Sequence, residues 1–364
     1  MRFDRCPADG DLPERWILEG ADVQATVVPE AGMNLVSLAV AGVERLRMPE
    51  PLGSFMATAR TGGVPLLHPW ANRLRGDRYG FEGIEVDLGG FDGLKRDGAG
   101  LPMHGLLLRH GGWRVETTAG ERGGVVEGRL GWTDETPGFE AHPFPHDLAI
   151  RWEIGQGEGV TARCTTIVEA GGIDVPLGTG WHPYLRPAAG VDRAAIEVRG
   201  PEMRRAELDG SGLPVLDPDG QPRLAPPSSI DGPLGDRTFD DLHRPVGRGW
   251  SASVRCGDDE VTLRADEHWS WLQVYAPAGS DYVCFEPMLA PTAALTDGSA
   301  AVVPAGGRLE ATIEIHVHVE EERCWGRTAS DRTCGTGRCW SPVAGRASAP
   351  RPPRPRPRPA CASW

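Results

Sequence analysis

The stretch RLEATIEIHVHV (308–319) puts Ile313, Ile315, Val317 and Val319 on one face of an extended chain and Glu314, His316 and His318 on the other. Successive side chains of a strand point to opposite sides, so alternation with a period of two predicts a half-buried β-strand. The same pattern recurs upstream in DVQATVV (22–28), MNLVSLAV (33–40), GVVEGRLGW (124–132), DLAIRWEI (147–154) and GVTARCTTIVEA (159–170), and again in WSASVRC (250–256), SWLQVYA (270–276) and DYVCF (281–285). No long stretch carries a 3.6-residue apolar stripe. Gly and Pro supply 49 and 33 of the 364 residues, a burden that breaks helices and suits strands joined by turns. Many short strands with little helix predict a sandwich or barrel. No linker divides residues 12–320, which therefore read as one large antiparallel unit. The Pro-, Gly- and Asp-rich run from Asp209 to Asp236 reads as a long loop of the kind that serves active sites.

The charge is uneven. The whole chain carries −13, but residues 323–364 hold nine Arg against one acid, Asp331, giving +8 and leaving −21 for the first 322 residues. Such a body argues against nucleic acid or an acidic membrane as a partner, since both need a positive face. Residues 1–322 are thus expected to form a single domain. Residues 323–364, with the repeat RPPRPRPRP, read as a disordered basic tail in which Cys324, Cys334 and Cys339 lack zinc-site spacing. The start MRFDRCPADGDLPERW has no apolar core of a leader, and no run reaches the roughly 18–20 apolar residues of a membrane span, so the chain is expected in the cytoplasm. Cys6, Cys164, Cys256 and Cys284 are then expected as free thiols. Lys95 is the single lysine among 38 basic residues, which reads as base-composition bias rather than chemistry.

Four polar constellations lie in Gly-, Pro- and aromatic-rich settings rather than on a strand's wet face: LLHPWANRLRGDRYGF (66–81), LPMHGLLLRHGGW (101–113), GTGWHPYLRP (178–187) and CFEPMLAPTAAL (284–295). Among other histidines, His110, His243 and His268 read as surface or loop residues. The prolines of EAHPFPHDL keep His142 and His146 from forming a helical metal pair. No phosphate-binding glycine loop or nucleophile elbow is present, and no metal or other cofactor is expected.

In order, Asn72-Arg73, His104-Gly105, His182-Pro183-Tyr184, Asp236-x-x-Phe239 and Glu286-Pro287 resemble the aldose 1-epimerase (mutarotase) family over about residues 12–320. The resemblance implies an all-β fold, the large antiparallel β-supersandwich of galactose-mutarotase-like proteins. It implies a small-molecule sugar as partner and interconversion of the α and β anomers of a free aldohexose. Ring opening needs a base for the C1 hydroxyl proton and an acid for the ring oxygen, with no metal or redox group. By resemblance Glu286 is the base and His182 the acid, while Arg73, His104, Asp236 and Asn72 bind the sugar. Asp240 and Asp241 compete with Asp236 for the carboxylate that accepts sugar hydroxyls. Trp70 and Trp181 are candidates either for stacking on a sugar face or for the core. A non-catalytic sugar binder on the same fold, and an epimerase of a sugar phosphate held by Arg73, Arg75 and Arg78, are the alternatives. The preferred aldose is not legible, and a monomer and a dimer both fit.

Overall fold

The computed structural model describes residues 1–318. The basic tail, with its expected disorder, lies outside the described residues. Among these residues helix is confined to Leu52–Met56, Ala294–Asp297 and three short 3-10 turns, and the rest of the regular structure is strand. Among the described residues no helix is long and apolar enough to cross a membrane.

Two large antiparallel sheets and a smaller one carry the architecture. The first large sheet has nine strands. Its centre is Arg308–Val317, flanked by Asp259–Ala265 on one side and Gly159–Ala170, His146–Gly157 and Gly123–Trp132 on the other. Within its opening stretch Ile313, Ile315 and Val317 are fully buried while His316 is partly exposed, as the period of two requires. The second sheet runs Leu224–Ser228, Met203–Ala206, Phe239–Pro245, Trp271–Ala276, Val283–Met288, Gly180–Trp181 and Leu66–Leu67, with Tyr184–Leu185 pairing on Val283–Met288 as well. The first 44 residues add a five-stranded meander.

Alternation along the second sheet separates a packing face from a working face. Leu272, Val274, Val283 and Phe285 point one way and share a core with Leu263, Ile313 and Ile315 of the nine-stranded sheet. Each such side chain contributes about 1.5–3 kcal/mol when fully buried. The register pairs Asp240 with Tyr275, Tyr275 with Cys284, Gln273 with Glu286, and Tyr184 with Cys284. Asp240, Gln273, Tyr275, Glu286 and Tyr184 therefore share the opposite face.

One open alternative is decided here and three expectations are corrected. Trp70 and Trp181 are core residues, 1% and 0% exposed, and the Trp181 indole N–H donates to Thr166 Oγ1 at 3.0 Å. His243 is buried, because it falls on the packing face of Phe239–Pro245. The run from Asp209 to Asp236 is not loop throughout, since it contributes the strands Leu224–Ser228 and Gly232–Pro233. Cys164, Cys256 and Cys284 are free, but Cys6, buried at the end of Arg2–Cys6, is disulfide-bonded, a pairing that sequence separation alone does not reveal.

Candidate active site

Glu286 sits in the strand Val283–Met288 with every residue of that strand buried. Its Oε1 lies 3.3 Å from His182 Nε2, and both side chains are almost fully enclosed. His182 follows the short strand Gly180–Trp181, and its backbone N–H donates to Pro65 O at 3.1 Å. The Tyr184 ring stacks on the imidazole at 4.5 Å between centroids and 4° between planes, and the Tyr184 hydroxyl lies 3.3 Å from Nε2 and 2.6 Å from Thr61 Oγ1. Tyr275 meets the same ring edge-on at 6.0 Å, and His104 does so at 5.5 Å.

The two motifs before these strands close the site from the other side. His104 N–H donates to Asn72 O at 2.8 Å, and Asn72 and His104 both adopt left-handed backbone, with φ of 51° and 65°. Non-glycine residues at such angles carry strain of about 1–3 kcal/mol, which gathers at functional sites. The next residue must be glycine. A Cβ on Gly105 would stand 2.2 Å from His68 O, with φ at +68°. Arg73 is anchored by Nε to Asp97 Oδ2 at 2.8 Å and by Nη1 to Asn72 Oδ1 at 2.9 Å. Asp97 in turn accepts the N–H groups of Ala99 and Leu101, each at 2.9 Å. Burial pushes the Asp97 carboxyl up, and the bonds from Leu101, Arg73 and Ala99 outweigh it and hold it below its ordinary value.

The carboxylates compared in TFDDLHRP separate by strand parity. Asp236 occupies an exposed turn, and its charge acts on Arg193. Asp241 points to the packing-face side and faces Arg205 at 3.5 Å. Asp240 is on the Glu286 side, where Gln273 Nε2 donates to its Oδ1 at 2.7 Å and where its charge acts on Glu286. The structure thus brings Glu286, His182, His104, Arg73 and Asn72 together and adds Asp240 rather than Asp236.

Electrostatics follow from enclosure. Burial first, and then Asp240, push the Glu286 carboxyl well above the usual range, against the pull of Arg73 and Lys95. Burial, with Lys95 assisting, brings the His182 imidazole down to about 3. His104 is held well below its ordinary value by burial, His182, Lys95 and Arg73. Enclosure thus shifts both groups toward their neutral forms, the imidazole unprotonated and the carboxyl protonated. Within the protein, His182 Nδ1, His104 Nδ1 and Gln273 Oε1 are buried without a hydrogen-bond partner. Buried polar atoms are normally satisfied, so these atoms on His182, His104 and Gln273 are open to a polar ligand.

Beside the pair opens a pocket of about 280 Å³ lined by Arg47, Pro49, Arg60, Thr61, Lys95, Tyr184, Tyr275 and Tyr282. Three of the chain's four tyrosines are here. Sequence reading missed Tyr275, Tyr282, Gln273, Asp97 and Lys95. Two signals could have found some of them: Gln273 and Tyr275 share the parity of a strand, and a lone lysine in an arginine-rich chain is an anomaly. Arg75 and Arg78 do not join the site. Arg75 grips Asp297 with bonds of 2.7 and 2.8 Å, and Arg78 pairs with Asp87 at the surface.

The family model for aldose 1-epimerase matches residues 17–316. The chain belongs to the aldose 1-epimerase family. Solved structures agree on the fold. A galactose mutarotase-like protein from Clostridium acetobutylicum superposes with a TM-score of 0.67 at 15% identity, covering 84% of this chain and 95% of its own. The Slr1438 protein from Synechocystis sp. PCC 6803 gives 0.66 at 21% identity, covering 88% and 100%. Galactose 1-epimerase from Lactobacillus acidophilus gives 0.64 at 13% identity, covering 87% and 98%. A comparison with curated proteins finds no match. The galactose-mutarotase-like sandwich expected of the sequence is the fold of this family member, and sugar epimerase or mutarotase chemistry is the family's general activity.

Proposed function

We propose that this epimerase-family protein interconverts the α and β anomers of a free aldohexose, with Glu286 as base and His182 as acid. The observation that carries the reading is the buried Glu286–His182 pair at 3.3 Å, with unpartnered ring nitrogens on His182 and on its neighbour His104. One shared proton is what the reaction requires. With Glu286 as carboxylate and His182 as imidazolium, the carboxylate takes the C1 hydroxyl proton and the imidazolium protonates the ring oxygen as the C1–O5 bond breaks. The pair then stands as a carboxylic acid and a neutral imidazole facing an open-chain aldehyde. Rotation about the C1–C2 bond and the reverse transfers close either anomer. The neutral forms toward which burial shifts both groups are the proton distribution of that open-chain stage. Sugar hydroxyls that meet Arg73, His104 and Asp240 would favour the charged arrangement for ring opening, and Arg73 and Lys95 already pull Glu286 toward its carboxylate form. Asn72 acts on this reading by holding Arg73 and His104. Asp240, on the working face, takes the sugar-binding part first given to Asp236.

A second reading has one observation behind it: Arg47, Arg60 and Lys95 line the pocket, so the sugar would carry an anionic substituent such as a phosphate. Arg47 and Arg60 already face Asp281 and Glu50, each at 3.8 Å, which weighs toward a neutral sugar. Polarimetry on anomerically pure glucose, galactose and a hexose 6-phosphate separates the two. Faster exchange of the neutral sugars supports the first reading, exchange of the phosphate alone supports the second, and no acceleration of any sugar removes both.

A further inference from the structure

Lys95 is the one lysine in 364 residues, and the fold delivers it to the site. Its backbone carbonyl accepts the Met103 N–H at 2.8 Å. Met103 pairs with Arg73 and directly precedes His104. Two residues further on, Asp97 grips Arg73. The half-buried side chain lines the pocket with Tyr184 and Tyr275, the two phenol rings packed on His182. Arg47 and Arg60 in the same wall each face a carboxylate, but among the described residues the Lys95 ammonium has neither ion pair nor hydrogen bond. Its charge acts on Glu286, His104 and His182.

We propose that Lys95 is a positioning residue of the acid–base pair: its ammonium draws protons out of Glu286 and His182 and so sets the pH range over which the two share one proton. The inference rests on the anomerase reading for its chemistry, but not for its electrostatics. A nearby positive charge disfavours a second proton on the pair and favours loss of the last one, so both steps of the coupled titration move down together. The groups facing Lys95 are Glu286, which supports its charge, and Arg109, which opposes it. Asp240 and Arg73 act on the same carboxylate, and Tyr184, Tyr275, Tyr282, Arg47 and Arg60 complete the wall. Burial first, then Arg109, bring Lys95 itself down to about 8, so it keeps its charge at neutral pH.

A single lysine makes the test clean. Reductive methylation of the full-length chain with ¹³C-formaldehyde labels Lys95 and the α-amine and keeps both charges, and a K95R variant identifies the Lys95 signal. The expected result is that Lys95 titrates about one pH unit lower in E286Q than in wild type. An unmoved titration overturns the proposal. In the rate arm, K95M shifts both limbs of the kcat/KM–pH profile up by about one unit, and K95R returns them. A K95M enzyme that is slower at every pH with unmoved limbs has lost only packing, and that also overturns the proposal. A wild-type protein that accelerates no anomer exchange removes the function reading, and the titration then decides the Lys95 coupling by itself.

Discussion

His182 and Glu286 were legible as residues because each sits in a short motif, but what makes them a pair was not. The enclosure that raises Glu286 and lowers His182 comes from side chains far away in sequence, and no window around either residue contains it. Arg73 was legible in the same way, while its anchor was hidden. Asp97 lies in the run DGAG, where an acid before glycine reads as a turn residue, and it does cap that turn while its second oxygen holds Arg73. Asp97→Asn therefore should loosen the guanidinium without removing the reacting groups. Steady-state kinetics should show kcat/KM falling about tenfold, mostly through KM, as expected for loss of a charge-assisted hydrogen bond. An unchanged KM would argue that Arg73 does not bear on the sugar.

At the scale of elements, the period of two decided more than the motifs did. It was legible in nearly every long strand, and it correctly buries Ile313, Ile315 and Val317. It could not choose among Asp236, Asp240 and Asp241, because parity has meaning only once the strand's first residue is known. Phe239–Pro245 begins after Asp236, and that start turns Asp240 toward Glu286 and Asp241 away. The expected ordering is that Asp240→Asn lowers kcat/KM by tenfold or more, while Asp236→Asn and Asp241→Asn stay within about threefold of wild type. A larger loss in Asp236→Asn would restore the motif-based assignment. The His104 turn makes a second element-scale prediction. Gly105→Ala brings a methyl onto His68 O at a left-handed φ, so the backbone must move. The loss of stability should exceed about 2 kcal/mol in urea unfolding, with activity falling because His104 moves with it.

Across the whole molecule, the all-β architecture was legible from the alternating segments and the weight of turn residues. The pocket was not, because its wall draws on Arg47, Lys95, Tyr184, Tyr275 and Tyr282, which meet only when the sheets close. The −21 body does not give the site its character, since the pocket wall is cationic and phenolic. Burial of histidine is a property of the fold as a whole. Enclosure lowers His68, His104, His142, His146, His182 and His243, with His146 and His243 at about 4. Each is neutral when folded and takes a proton near 6.5 when unfolded, so the unfolded chain binds more protons below that pH. Stability should be fully present above about pH 6.5 and be lost as the pH falls toward 4. Glu286 and Asp241, raised rather than lowered, oppose this but are outnumbered by the lowered histidines. Urea midpoints at pH 7.5, 6 and 5 check the sign, and a flat series would contradict neutral burial of these imidazoles.

On the proposed reading Glu286 and His182 move the protons of anomer exchange. The most direct measurement is magnetisation exchange between the α and β C1 protons of a free aldohexose at equilibrium, with wild-type protein and with E286Q. Wild-type protein is expected to give exchange well above the uncatalysed rate. E286Q is expected to lose about 10²–10⁴-fold, with sugar binding and the unfolding midpoint retained. Wild-type exchange rates in E286Q, or a wild-type protein that binds sugar and leaves anomer exchange at its uncatalysed rate, would contradict this.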